Sequence, residues 1–83
     1  MTLTLADVTR IARAVAGEED AGLQTVSVAS NYADTGRVEL LVTVNGWHAE
    51  PYTFLMNLSR ERQTVCEEEM RSEFRAARTR YQS

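Results

Sequence analysis

The sequence has little of the chemistry on which most catalytic and metal sites depend. Its 83 residues include one cysteine, one histidine and one proline, and lysine is absent. A single cysteine excludes an internal disulfide, and His48 and Cys66 lack the CxxC or HxxxH spacing of a zinc site. No glycine-rich phosphate loop and no nucleophile motif occurs. We therefore expect no metal, no cofactor and no catalytic residue, and we expect that the protein is not an enzyme.

Targeting and membrane signals are also missing. Residues 1–7 contain neither a basic stretch nor the continuous apolar run of a secretory signal. No apolar run approaches the roughly 20 residues that cross a bilayer. These features predict a cytoplasmic protein that makes no membrane contact.

The net charge and the length of the chain limit the classes of binding partner that we expect. Twelve acidic residues stand against nine arginines, for a net charge of −3, so nucleic acid is not the expected partner. A chain of this length forms one domain, residues 1–83, with a small core that often needs reinforcement. Because a disulfide is excluded and a metal is not expected, a second protein chain, either another copy or a different protein, is the favoured reinforcement.

The N-terminal segment predicts an amphipathic helix over residues 5–16. Thr4 and Asp7 have the spacing of a capping box, and apolar residues follow at helical intervals. Gly17 stands where a helix commonly ends.

Three strands follow, predicted at residues 23–30, 37–45 and 47–54. The second strand alternates most clearly between apolar and polar residues. Asn45 and Gly46 are the pair that a two-residue type I′ hairpin turn prefers, and such a turn would place Val44 opposite Trp47. Trp47 then packs in the core against Val44 or stands exposed as a contact residue.

The third strand leaves two arrangements open, because Pro51 cannot donate a backbone hydrogen bond. Without a bulge at Pro51, Tyr52 and Phe54 join Leu41 on the face of the sheet away from the helices. With a bulge, Tyr52 and Phe54 return to the core. We take the first arrangement as the hypothesis for contact residues.

A long helix is predicted over residues 58–81, a stretch without glycine or proline. At 1.5 Å per residue it would be about 35 Å long, against roughly 20–25 Å for a short strand. The side of the helix on which its apolar residues lie also changes between the first half and the second half. We therefore expect the second half to extend past the sheet and expose Met70, Phe74 and Tyr81.

The predicted architecture is α+β: a helix, a three-stranded antiparallel meander and a long helix (αβββα), with both helices mainly on one face of the sheet. This order resembles that of the double-stranded RNA-binding domain, in topology alone. The basic cluster that such domains carry at the start of the second helix is missing from residues 59–62, which mix charges. The resemblance implies duplex binding through phosphate contacts, for which Arg75, Arg78 and Arg80 are the available residues.

Three smaller features have plain structural interpretations. His48 and Glu50 alternate on one face beside a turn, as surface residues do. Cys66 is expected to be a small buried hydrophobic residue. The three consecutive glutamates that follow it point about 100° apart on a helix and cannot converge on one ion.

The sequence favours a non-enzymatic protein–protein interaction domain, homodimeric or an accessory subunit, over two alternatives. Its candidate contact residues are Leu41, Trp47, Tyr52, Phe54, Met70, Phe74 and Tyr81. The first alternative is a small acidic inhibitor of a nucleic-acid-handling protein, of the kind encoded by phage or mobile elements. Its candidate acidic residues are Glu18, Glu19, Asp20, Asp34, Glu67, Glu68 and Glu69. The second alternative is a nucleic-acid binder similar to the double-stranded RNA-binding domain.

Overall fold

A computed structural model describes residues 2–32 and 36–82 and confirms the αβββα order. The elements are α1 (Leu5–Glu18), β1 (Gly22–Tyr32), β2 (Arg37–Asn45), β3 (Tyr52–Ser59) and α2 (Gln63–Gln82). The strands form one antiparallel sheet in the order β1-β2-β3, and both helices pack on the same face of it.

Helix α1 begins at the predicted capping box but ends later than predicted. The Thr4 side chain accepts from the Asp7 backbone N–H at 3.1 Å, and the Asp7 carboxylate accepts from the Thr4 N–H. Gly17 lies inside the helix, so the prediction that the helix ends there is wrong. The chain reverses at Asp20, which takes the positive φ of 56° that aspartate tolerates better than most residues.

The core lies between the helix layer and one face of the sheet. Strand β2 runs through its centre with the predicted alternation, and Val38, Leu40, Val42 and Val44 are at most 1% exposed. Helix α1 contributes its apolar stripe, comprising Val8, Ile11, Ala12, Val15 and Ala16.

The connection between β2 and β3 differs from the predicted two-residue turn. Strand β3 begins at Tyr52, and Tyr52 lies opposite Val44, the position predicted for Trp47. Gly46 does take a positive φ of 95°, and a Cβ there would come within 3.2 Å of the Asp20 carbonyl oxygen. The chain then continues through residues 47–51 before it pairs again.

The longer connection exists because Trp47 turns into the core instead of starting a strand. Its side chain is 8% exposed and its ring stacks 6.1 Å from that of Phe54. The register of β3 is thereby shifted by five residues, and an odd shift moves every side chain to the opposite face. The prediction that Tyr52 and Phe54 face away from the helices is therefore wrong: Phe54 is 6% exposed and Tyr52 is half-buried against the core.

Helix α2 begins at Gln63, later than predicted, because Leu58 and Ser59 belong to β3. The predicted exposed overhang is wrong, since Met70 and Phe74 are both fully buried. The apparent change of direction came from counting Leu58 and Val65 into the apolar stripe. The stripe that packs is continuous, and it consists of Cys66, Met70, Phe74, Ala77 and Tyr81.

Candidate protein-contact surface on the open sheet face

One face of the sheet carries the core, and neither α1 nor α2 lies over the other face. Backbone pairing assigns alternate residues of each strand to this second face, which we call the open face. Only two of its thirteen described positions carry a charge, although a quarter of the whole chain is charged. Its described residues are Gly22, Thr25, Ser27, Ser30, Arg37, Glu39, Leu41, Thr43, Asn45, Thr53, Leu55, Asn57 and Ser59.

Two leucines form the centre of the open face. Leu41 and Leu55 are direct partners across β2 and β3, and they are 43% and 46% exposed. Beside them, the Thr43 and Thr53 hydroxyls share a hydrogen bond of 2.9 Å. Leu41 was predicted on this face, whereas Leu55 was missed. The signal for Leu55 was its spacing from Leu58 and Met56, which is readable only once β3 is known to extend to Ser59.

At the charged end of the open face, Arg37 makes hydrogen bonds and an ion pair within the chain. The Arg37 guanidinium donates to the Asn57 side-chain oxygen at 2.9 Å and pairs with Glu69 at 3.3 Å. Glu69 in turn accepts from the Ser59 backbone N–H at 2.8 Å. Arg37 is therefore already paired at the rim of the open face. The centre of the open face is neutral.

The remaining predicted contact residues build an aromatic cluster at the other end of the molecule. Tyr81 stacks on Tyr52 with 4.6 Å between ring centroids, and its hydroxyl donates to the Glu50 carbonyl oxygen. His48 meets the Tyr81 ring edge-on at 5.7 Å. These side chains fix the connection after β2 against α2, and Tyr81 is half-buried by doing so.

The predicted acidic surface is largely neutralised inside the molecule. Glu18 pairs with Arg71 through contacts of 3.0 and 3.2 Å, and Glu19 pairs with Arg75 at 2.8 Å. Glu69 is engaged by Arg37 as described above, and Glu67 accepts from the Gln63 side chain. Asp20 and Glu68 are exposed, and Asp34 lies outside the described residues.

The ion pair between α1 and α2 predicts a specific pH dependence. The hydrogen bond from Arg71 lowers the pKa of Glu18 below its ordinary value of 4.5. A carboxylate with a lowered folded-state pKa stabilises the fold above its unfolded pKa and loses that contribution as the pH falls through the folded value. Glu18→Gln should therefore reduce the difference in thermal midpoint between pH 7 and pH 3, measured by circular dichroism. In an Arg71→Gln background, Glu18→Gln should reduce that difference much less, and equal reductions in both backgrounds would contradict the pairing.

The side chains best suited to catalysis lie far apart. Cys66 is fully buried, and burial followed by the nearby Glu69 and Glu67 raises the pKa of its thiol to about 11. His48 contacts Tyr81, and 15 residues of helix (81 − 66) separate Tyr81 from Cys66, which is about 22 Å. A nucleophile–base pair between Cys66 and His48 is thus ruled out by distance.

The described residues show no other site for a small ligand. Over residues 2–32 and 36–82 there is no pocket, and no group of three or more His, Cys, Asp or Glu side chains is placed to hold a metal ion. Neither helix of the described chain combines the length and the apolar character that a bilayer crossing requires.

Comparison of the chain with protein-family models, with curated proteins and with solved structures gave no match. The helix and strand order shared with the double-stranded RNA-binding domain is present, but Arg60, at the position of the basic cluster in such domains, is used structurally. Its guanidinium donates to the Leu3 carbonyl oxygen at 3.0 Å and to the Asn31 side chain at 2.7 Å.

Proposed function

We propose that this chain is a non-enzymatic protein–protein interaction domain, homodimeric or an accessory subunit, and that the open face is its contact surface. The observation that carries the proposal is the Leu41–Leu55 pair at the neutral centre of a face that neither α1 nor α2 covers. Exposed aliphatic residues at the centre of a polar rim are the arrangement of a protein contact.

The chemistry of the open face favours a protein over a polyanion. Nucleic-acid surfaces use free basic side chains to contact phosphates. The one arginine on this face, Arg37, is paired with Glu69 and Asn57. Threonine and serine hydroxyls around two leucines offer hydrogen bonds and apolar contact without a charge that must be desolvated.

The acidic-inhibitor alternative has less support from the arrangement of charges. An acidic surface acts on a basic groove through carboxylates that are free to pair with the target. Glu18 and Glu19 are already paired with arginines of α2, and Glu69 with Arg37. Binding a basic target through these three would require breaking existing ion pairs.

The free energy that a partner could gain by burying the two leucines can be estimated. Complete burial of a leucine side chain is worth about 1.5–3 kcal/mol, and each of these is a little less than half exposed. The pair therefore offers roughly 2 kcal/mol of unused apolar burial. A partner gains this only by covering both leucines together, which makes a flat surface against β2 and β3 the expected contact.

Position-specific photo-crosslinking tests the proposal. A photoreactive amino acid replaces Leu55 on the open face or, as the matched control, Val65 on α2, which is 40% exposed. In the cells that produce the protein, position 55 is expected to give a discrete protein adduct identifiable by mass spectrometry, because its side chain lies inside the contact. Position 65 should give none of that adduct. The same adducts from both positions, or none from position 55, would refute the open face as the contact surface.

A further inference from the structure

Strand β1 is an edge strand with an unusual composition and environment. It spans eleven residues without a charge or a proline, although edge strands commonly carry such residues to prevent pairing with other chains. No residue from Gly22 to Asn31 is buried. Val28 belongs to the helix side of the sheet, opposite Leu40, yet it is 46% exposed. The helix layer therefore leaves the outer rim of β1 uncovered.

The hydrogen-bonding pattern shows which groups of β1 point outward. The Arg60 N–H donates to the Gly36 carbonyl oxygen, so even-numbered residues of this ladder bond between β3 and β2. Odd-numbered residues of β2 must then bond to β1, which pairs Leu41 with Ser27 and Thr43 with Thr25. It follows that the backbone N–H and C=O groups of Val26 and Val28 point away from the sheet.

The other edge of the sheet is partly occupied by the chain itself. Along β3, the Ser59 N–H donates to Glu69 and the Asn57 carbonyl oxygen accepts from Arg37. Along β1, no side chain of the described residues bonds to the backbone from Gly22 to Asn31. Between the two irregularities of the β1 ladder, Thr25–Val28 pairs regularly with β2. The described residues thus leave the outward backbone groups of this regular part of β1 available to pair with a further strand.

We propose that β1 pairs antiparallel with β1 of a second copy of this chain, with Ser27 facing Ser27 on the twofold axis, to form one six-stranded sheet. This register sets Val26 opposite Val28 of the second copy and satisfies the outward N–H and C=O of both valines in both copies. Shifting the register by two residues in either direction leaves one valine of each copy opposite an irregular position of the ladder. On the helix side, Val28, which is 46% exposed, is then covered in part by the partly buried Val26 of the second copy.

Charge and area identify the occupant as a second copy. Across a twofold axis the same stretch of β1 faces itself, so charged side chains near the axis would approach like charges, and β1 carries none. The open face of one chain is roughly 14 Å by 30 Å, or about 420 Å², from strand spacing and the length of β2. A standard interface needs about 800 Å² from each partner. Pairing doubles the open face to about that size, and in this respect alone the inference rests on the proposed function.

The molecular mass in solution tests whether two copies of β1 pair through backbone hydrogen bonds. Val28→Pro removes the outward N–H of Val28 but no bond to β2, whereas Val28→Ala removes most of the side chain and keeps that N–H. Light scattering across a dilution series should give wild type a mass twice 9.3 kDa at high concentration. Val28→Pro should weaken dimerisation by roughly 10- to 100-fold, because two of four intermolecular bonds are lost, and Val28→Ala by much less. Circular dichroism checks that each variant is folded.

A crosslink tests the register independently of the proline variant. Ser27→Cys should form an intermolecular disulfide under mild oxidation, because residues directly opposite across an antiparallel pair lie within disulfide reach. Leu55→Cys is the control: five strand spacings would separate its two copies, about 24 Å. Cys66 is fully buried and should not react.

The outcomes separate this inference from the proposed function. A wild type that stays monomeric at every concentration, or equal crosslinking at positions 27 and 55, overturns the pairing of β1. Neither result alters the photo-crosslinking comparison of positions 55 and 65, which tests the open face. Conversely, a dimer held through β1 with no adduct from position 55 would support the pairing and refute the open face as a contact surface.

Discussion

Replacement of Phe74 by alanine is expected to lower the free energy of unfolding by about 3–5 kcal/mol. Phe74 is fully buried, and its ring lies edge-on to those of Phe54 and Trp47 at 5.4 and 6.2 Å. Its removal leaves a cavity where α2, β3 and the connection after β2 meet. In a chain of this size the loss approaches the whole stability, which is typically about 5–15 kcal/mol for a domain.

Urea denaturation followed by circular dichroism measures this effect. Val65→Ala is the matched control on the same helix, because Val65 is 40% exposed and should cost less than about 1 kcal/mol. A loss below about 1 kcal/mol for Phe74→Ala would mean that Phe74 is exposed in solution. The arrangement of α2 against the sheet would then be wrong.

The second large effect is expected at Trp47, where Trp47→Ala should cost about 3–5 kcal/mol. The indole stacks on Phe54, and its N–H donates to the Glu19 carbonyl oxygen at 3.0 Å. Trp47→Phe keeps most of the ring contact and loses the hydrogen bond, so it should cost about 1–2 kcal/mol. The Glu19 carbonyl oxygen keeps its bond from Arg78 at 3.1 Å in either variant, which limits the penalty for an unpaired acceptor.

The same denaturation experiment applied to both variants separates packing from hydrogen bonding. Equal losses for Trp47→Phe and Trp47→Ala would show that the N–H bond dominates, contrary to the burial of the ring. Small losses for both would place Trp47 outside the core. This outcome matters beyond stability, because Trp47 anchors the connection that sets the register of β3 and so places Leu55 on the open face.

Much of the fold follows from local signals in the sequence. The capping box of Thr4 and Asp7 fixes where α1 begins, and the alternation of β2 fixes its span and buried face. The long stretch without glycine or proline indicates α2. These features depend on residues close together in the chain, which is why sequence patterns reveal them.

The position of β3 could not be predicted because two signals compete there. Asn45 and Gly46 favour a tight hairpin, and Gly46 does adopt a positive φ. Burial of Trp47 between Phe54 and Phe74 outweighs that local preference and lengthens the connection. Because both partners come from later elements, the sequence around the turn carries no sign of this outcome.

The candidate contact surface was predicted only in part for the same reason. Leu41 interrupts the polar side of β2 and is visible in the sequence as an exception to the alternation. Leu55 shares its face only when the register of β3 is known. The ion pairs from Glu18 to Arg71 and Glu19 to Arg75 join residues more than 50 positions apart, so the sequence alone suggested a free acidic surface.

The most direct test of the contact surface is the affinity of this chain for the protein that crosslinks at position 55, measured by titration calorimetry. Leu55→Glu should weaken binding at least 10-fold, because it places a charge at the centre of the contact, and Val65→Glu should stay within about twofold of wild type. Equal affinities for wild type and Leu55→Glu, with both chains folded, would contradict the role of the open face.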